Sequence, residues 1–268
     1  GKKSCTTNCE LKILNVPYLD EAMILTFQTF EDPNGVGIIG RMNGAPIASL
    51  PYHSDQTMSI ATSGGTVEMG RQFDGVISEL MFFKESLSQD ELRDLETRYG
   101  CIYNSDKFTE SHGAIMDLQL PCIVPDTNQG KPSVPYAGDI ILNLDASDVT
   151  ASDLPEIQPT EGEDVAFWWD KSQNYNMAIA DGAAALPVYR EAGISGSLPA
   201  LDFGNSADGK RLKIIANTST TKNNNLTLFV VAQPSASNSR GVLFAKAAAD
   251  NDKPYGLAWG RTGIGSAN

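Results

Sequence analysis

The chain has 268 residues, 41% of them hydrophobic, and a formal net charge of −13. This length and composition are typical of a globular protein with one large β domain or two small ones. The acidic charge argues against nucleic acid and anionic membrane surfaces as partners, and no apolar run approaches the roughly 18 residues of a membrane-spanning segment. The start at Gly1 predicts a mature or excised piece whose export signal has been removed.

The first hundred residues predict short β-strands separated by turn residues, followed by one helix. Asn43-Gly44 lies between two β-rich runs and predicts a tight hairpin. Ser88 and Glu91 fit a capping box, and apolar residues then recur at helical spacing. Gly100 predicts a left-handed stop, so the helix covers about residues 89–99. The predicted strands are residues 23–30, 36–42, 45–50, 57–62, 67–70 and 75–83.

The rest of the chain predicts a connecting segment and a second set of strands. Residues 105–135 are rich in Asp, Ser, Pro and Gly and predict a linker or inter-module segment. An acidic stretch at residues 150–164 predicts a solvated loop, and the continuous apolar run 226–233 predicts a strand buried on both faces. The other predicted strands are residues 139–145, 166–169, 198–203, 211–215, 241–245 and 256–259.

The four cysteines predict two disulfides, Cys5–Cys9 and Cys101–Cys122. A zinc site is disfavoured because only one of these pairs is close in sequence and no histidine lies near either, while buried free thiols are the remaining alternative. Disulfides place a protein outside the cytosol, so we expect a secreted or cell-surface location. Asn217 and Asn225 each begin an Asn-x-Ser/Thr sequence and are glycan acceptors only in a host that uses that chemistry.

Six short motifs relate the chain to one fold family. They are 73–80 (FDGVISEL), the helical region 87–100, 144–148 (LDASD), 169–172 (WDKS), 196–203 (GSLPALDF) and the apolar run 226–233. The first two resemble the final strand and closing helix of bacterial laminin-G-like jelly rolls, which are concanavalin-A-like. The next three resemble the opening half of that fold, and the last resembles its central strand. The resemblance implies a mostly β, antiparallel jelly-roll sandwich with one short helix.

The two halves of that fold occur in swapped order. Residues 1–104 resemble the closing half and residues 136–268 the opening half, and the chain's last residues would run smoothly into its first. Neither half alone could cover its sheet face and strand edges. Three alternatives follow: completion by a neighbouring copy or repeat, closure within one chain as a circular permutant, or parts of two different domains. Completion by neighbours is head-to-tail and builds a filament.

The sequence contains little evidence for catalytic residues. His53 and His112 lie in no metal or nucleophile motif. Glucanases of the same fold resemble one another in a strand reading Glu-x-Asp-x-x-Glu, which places two carboxylates about 5 Å apart in a retaining mechanism. In this chain Met81 replaces the central acid, and an extended strand would separate Glu79 from Glu85 by roughly 20 Å. We therefore expect no enzymatic activity.

Two kinds of binding site remain as expectations. Asp145, Asp148 and Asp202 flank predicted strands and are candidate Ca²⁺ ligands, an ion that laminin-G-like domains often carry, although aspartates also cap turns. Trp168 and Trp259 are candidates for stacking on sugars. Trp168 and Trp169 must face opposite ways along a strand, so at least one of them is expected in the core.

The function expected first is structural. The chain would be an extracellular module that assembles with other copies of itself into a filament or surface layer, with no resident cofactor beyond the candidate Ca²⁺. The alternative is a glycan-binding adhesin or lectin-like module whose partner is a polysaccharide. A phage-tail or virion decoration module is a third possibility.

Overall fold

The computed structural model describes residues 9–14, 21–32, 35–51, 67–103, 139–151, 157–172, 174–182, 185–204, 208–215, 226–235, 240–246 and 255–260. This part of the chain forms strands, one α-helix, α1 (Gln89–Tyr103), and a single turn of 3-10 helix (Ala146–Asp148). The strands are β1 (Cys9–Leu14), β2 (Met23–Asp32), β3 (Gly35–Met42), β4 (Ala45–Pro51), β5 (Val67–Met69), β6 (Gly75–Phe83), β7 (Ile140–Asp145), β8 (Phe167–Trp169), β9 (Met177–Ala180), β10 (Val188–Ile194), β11 (Leu198–Asp202), β12 (Leu212–Ile215), β13 (Thr227–Pro234), β14 (Arg240–Lys246) and β15 (Tyr255–Gly260).

The strands form two sheets. One has seven strands in the order β1-β15-β14-β5-β12-β9-β8, and the other has eight, ordered β10-β11-β6-β13-β2-β3-β4 with β7 paired beside β6. The described pairs are antiparallel except β1 with β15, which run parallel. The prediction of a mostly β, antiparallel sandwich with one short helix is confirmed, while jelly-roll connectivity stays a prediction.

Each sheet contains strands from both sides of the segment 104–138. In the eight-stranded sheet β13 lies between β6 and β2, so Val230 is paired with Leu80 on one side and Leu25 on the other. In the seven-stranded sheet β5 lies between β14 and β12. The described strands therefore do not divide into one core for residues 1–104 and another for residues 136–268, because the two segments pair within a single chain.

Strand β13 is buried on both faces, as its continuous apolar sequence predicts. Leu228 and Val230 belong to the core between the two sheets. Phe229 and Val231 point the other way, into a second core beneath α1. Each such side chain contributes about 1.5–3 kcal/mol through its burial. Because side chains alternate along the strand, β13 packs into both cores.

The helix begins as predicted but ends later. The backbone N–H of Ser88 donates to Glu91 Oε2 at 2.7 Å, and that of Glu91 donates to Ser88 Oγ at 3.3 Å, which confirms the capping box. The predicted stop at Gly100 is wrong, because α1 continues to Tyr103. The added turn buries the Tyr103 ring, whose hydroxyl donates to Glu79 Oε1 at 2.8 Å. These contacts offset the roughly 1 kcal/mol that glycine costs in a helix relative to alanine.

Three described strands, β1, β9 and β10, are absent from the sequence prediction. Strand β10 lies at a sheet edge and contains the charged residues Arg190 and Glu191, so it has no clear apolar pattern. Strand β9 is short and half alanine, which has little preference for strands. The predicted strand 57–62 and the linker 105–135 lie outside the described residues.

A buried ion pair anchors α1 to the sheet. The Arg41 guanidinium on β3 donates from Nε to Glu96 Oε1 and from a terminal nitrogen to Oε2, both at 2.9 Å. Thr26 on β2 donates to the same Glu96 carboxylate at 3.0 Å. Glu96 is fully buried, so its negative charge depends on these donors.

Replacing Arg41 by methionine is expected to destabilise the fold by about 3–5 kcal/mol, because it leaves the Glu96 carboxylate buried without its cation. Urea denaturation measures the change in the free energy of unfolding. The control is K84A, which removes the exposed pair of Lys84 and Asp139 and should cost less than about 1 kcal/mol. Equal losses for the two variants would contradict the assignment.

Candidate functional site

Two of the three predicted calcium ligands lie together and pair with a lysine. Lys171 Nζ lies 3.4 Å from Asp145 Oδ2 and 3.1 Å from Asp148 Oδ2. Burial by itself lowers the pKa of Lys171, but the charges of Asp145 and Asp148 outweigh burial, and the pKa lies above its ordinary value. Asp145 Oδ1 also accepts from the backbone N–H of Ser147 at 2.8 Å, which is the turn-capping role that aspartate commonly has.

The third predicted ligand, Asp202, pairs with a different cation. Arg190 Nε and a terminal nitrogen donate to Asp202 Oδ2 at 3.2 and 3.1 Å, and Asp202 Oδ1 accepts from the Gly204 N–H at 2.7 Å. Within the described ranges no group of three or more His, Cys, Asp or Glu side chains is placed to hold a metal ion. Calcium binding therefore stays a prediction.

Arg190 and Asp202 also line a cleft of about 670 Å³ at the β10 edge of the eight-stranded sheet. Glu161 reaches into it from the predicted acidic loop and accepts from Arg190 at 3.0 Å. The pKa of Glu161 lies below its ordinary value because the Glu191 N–H and then Arg190 donate to its carboxylate. This end of the acidic loop is thus tied to β10, and the cleft offers mainly carboxylate acceptors to a polar ligand.

The aromatic strand β8 shows the alternation that adjacent tryptophans require. Trp168 is fully buried, whereas Phe167 is 55% and Trp169 41% exposed. The prediction that Trp168 stacks on a ligand is therefore wrong, since its ring faces the core between the sheets. The exposed ring at this place is that of Trp169. Trp259 lies in β15, of which only the backbone is described, and its stacking role stays a prediction.

The turn between β8 and β9 displays a third exposed aromatic residue that the sequence did not single out. Tyr175 is 82% exposed and has a φ of 56°, which is uncommon for a residue with a side chain. Its neighbours are tied to β7: Asn174 Nδ2 donates to the Ile140 carbonyl at 2.9 Å, and Asn176 Nδ2 donates to the Ile141 carbonyl.

Asp170 organises the same turn. Its carboxylate accepts from the backbone N–H groups of Asn143 and Ser172, both at 2.8 Å, and from that of Asn176 at 3.3 Å. Burial raises the pKa of Asp170 above its ordinary value, and these hydrogen bonds oppose the rise without cancelling it. The turn is therefore a rigid support, because the buried Asp170 carboxylate accepts hydrogen bonds from these backbone N–H groups.

The remaining predicted site residues are only partly described. Cys101 lies on α1 and is disulfide-bonded. Cys122 lies outside the described residues, so the pairing of Cys101 with Cys122 stays a prediction. Cys5 also lies outside them, and Cys9 is the first residue of β1, so the pairing of Cys5 with Cys9 stays a prediction too. Asn217, Asn225, His53 and His112 are likewise not described.

The carboxylates considered for catalysis have different surroundings. Glu79 is buried on β6 and accepts from Tyr103, while Glu85 is exposed beyond the end of that strand. One buried and one exposed carboxylate do not form the facing pair that glycoside hydrolysis requires.

Comparison with protein-family models, with curated proteins and with solved structures found no significant match. The resemblance to laminin-G-like jelly rolls therefore stays a prediction from the motifs. None of the helices in the described part of the chain is long and apolar enough to cross a membrane.

The titration of Asp170 is expected to appear in the pH dependence of stability. Its folded pKa lies above the unfolded value of about 3.9, so its stabilising contribution is largest below about pH 4 and is lost as the pH rises through the folded pKa. The stability of the wild type relative to D170N should therefore fall as the pH rises above about 4. Urea denaturation across this range tests it, and a relative stability that stays constant or rises would contradict it.

Thermal melts in the presence of EDTA and of Ca²⁺ test the calcium prediction. Because Lys171 already pairs with both Asp145 and Asp148, we expect EDTA to leave the melting temperature unchanged. A decrease of several degrees in EDTA, reversed by excess Ca²⁺, would instead establish a structural calcium ion.

Proposed function

We propose that this chain is a non-enzymatic, extracellular structural module that assembles with other copies of itself, head-to-tail, into a filament or surface layer. Neighbouring copies would exchange one segment, so that residues 1–104 of one copy complete the sandwich begun by residues 136–268 of the next. The observation that carries the proposal is the position of β13 between β6 and β2, which makes each segment the partner of the other.

The energetic argument is that exchange conserves the native contacts. The strand pairs β13–β6, β13–β2 and β12–β5 all join one segment to the other, and the same pairs form whether the partner segment belongs to the same copy or to a neighbour. The covalent connection, residues 104–138, could span at most about 115 Å at ~3.3 Å per residue. An exchange that passes from each copy to the next does not close on itself and therefore grows as a fibre.

Exposed strands provide the driving force for completion. Without β13, both β6 and β2 would lose a paired neighbour, and the apolar side chains that pack on β13 would be open to water. Unpaired edges of this kind readily accept another chain by strand addition. When copies fold at high local concentration, the β6 and β2 edges of one copy could therefore pair with β13 of a neighbouring copy instead of their own.

Two further observations support a non-catalytic role outside the cell. The disulfide at Cys101 is typical of an oxidising compartment. The buried Glu79 carboxylate is engaged by Tyr103, so it stabilises the helix–sheet contact and faces no open site. The laminin-G-like motifs fit the same role, because they belong to a sandwich used as a building block.

Cross-linking between tagged copies tests the exchange. Glu68 on β5 and Lys213 on β12 are directly opposite one another and come from different segments. Co-expressed E68C and K213C chains carrying different tags are expected to form a disulfide between chains, and the double variant E68C/K213C a ladder of covalent oligomers. Non-reducing gels resolve these species.

The control for chance collision is R98C, on the exposed side of α1, co-expressed with K213C. If the E68C and K213C mixture gives no more inter-chain disulfide than this control, and the double variant stays a covalently closed monomer, the exchange does not occur.

A further inference from the structure

The hairpin formed by β8 and β9 exposes three aromatic rings at one edge of the seven-stranded sheet. Phe167 and Trp169 lie on the outer face of β8, and Tyr175 lies in the turn that joins Trp169 to Met177. Alternate residues of a strand are about 6.7 Å apart, so Phe167 and Trp169 form a short row that leads toward the turn. Large side chains exposed together on one structural element are unusual and mark an interaction surface.

The outer face of the sheet continues this apolar surface. Trp169 is opposite Met177, which in turn is opposite Ile215 on β12, and Ile215 is 36% exposed. The residues between them on these strands, such as Ala178 and Ile214, are fully buried. Because side chains alternate along a strand, Met177 and Ile215 lie on the outer face with Trp169.

The rings are displayed on a rigid support. Residues on both sides of Tyr175 are tied to β7, and the Asp170 carboxylate accepts from two backbone N–H groups of the turn and from that of Asn143 on β7. A preorganised aromatic surface loses little conformational entropy when a ligand binds. The left-handed φ of Tyr175 is maintained by these contacts, and strained residues of this kind concentrate at functional sites.

Strand addition by a protein does not fit this edge. The Trp169 N–H, which points away from β9, donates to the Val149 carbonyl at 2.8 Å, and the Lys171 N–H donates to the Asn143 carbonyl at 2.8 Å. The edge therefore does not offer the run of free N–H groups that a docking strand requires. A ligand must approach the face of the hairpin.

The exposed area is also small for a protein partner. At 150–250 Å² for an aromatic side chain, the three rings expose roughly 300–450 Å², whereas a stable protein interface buries about 800 Å² on each partner. A few sugar rings match the smaller area. Lys213 and Glu68, which follow Phe167 and Ile179 in register across the sheet, are of opposite sign, so their charges offset one another.

We propose that this face, centred on Trp169 and Tyr175 and extended by Phe167, binds a neutral polysaccharide through stacking of sugar rings on the aromatic side chains. Exposed aromatic rings present apolar surface to the C–H faces of a sugar, and no charge on either partner is needed. The site is independent of the proposed filament, because it lies on one hairpin contributed by a single segment. A filament that carries it would present the same face once in every copy.

Affinity electrophoresis of the full chain tests the site with soluble xylan, galactomannan, mixed-linkage β-glucan and starch in the gel, complemented by pull-down on insoluble cellulose and chitin. The wild type is expected to be retained by at least one of these polysaccharides. W169A and Y175A should each weaken retention about 3- to 10-fold, and the double variant more than 10-fold. W169F should retain most of the affinity because it keeps an aromatic ring.

The matched control is R98A, an exposed substitution on α1, which should bind as the wild type does. Circular dichroism verifies that each variant is folded. Retention by none of the six polysaccharides, or equal retention of wild type and double variant, would overturn the proposal. Stronger retention by the acidic polysaccharide alginate, or self-association that W169A abolishes in sedimentation velocity, would overturn it in favour of an ionic ligand or a second copy.

Discussion

Strand β13 pairs along both edges and is buried on both faces, and the rest of the molecule depends on that position. Its neighbours β6 and β2 come from the other side of the segment 104–138, so the central strand of the larger sheet cannot be completed by its own part of the chain. Phe229 and Val231 fill the core beneath α1, while Leu228 and Val230 fill the core between the sheets. Removing this strand would open both cores at once, so we expect the two segments to fold together.

Polar side-chain-to-backbone contacts also join the two segments. Ser195 Oγ donates to the Tyr103 carbonyl, and Ser78 Oγ donates to the Pro199 carbonyl at 2.6 Å, so the end of α1 and β6 are joined to the β10–β11 hairpin from the other segment. The Ser78 hydroxyl is fully buried, and leaving such a group unpaired costs about 1–3 kcal/mol. The same principle explains the Asp145–Asp148–Lys171 cluster, in which a lysine supplies the positive charge that the sequence suggested for a calcium ion.

The sequence predicts most of the fold where local rules decide the outcome. The Asn43-Gly44 hairpin, the capping box at Ser88 and the buried run of β13 follow from turn chemistry, capping and apolar continuity. The end of α1 was missed because tertiary packing of Tyr103 outweighs the glycine before it. In the aromatic strand, alternation places one tryptophan inside but does not say which, and the exposed Tyr175 depends on contacts with β7 that are distant in sequence.

The most direct measurement of the central claim is fragment complementation. Residues 1–104 and residues 136–268, produced separately, are each expected to show no cooperative unfolding and no fixed aromatic packing in near-ultraviolet circular dichroism. Their equimolar mixture should regain a single cooperative transition, because β13 then pairs with β6 and β2. Cooperative unfolding of either fragment alone would contradict the account, since it would show that one segment carries a self-sufficient core.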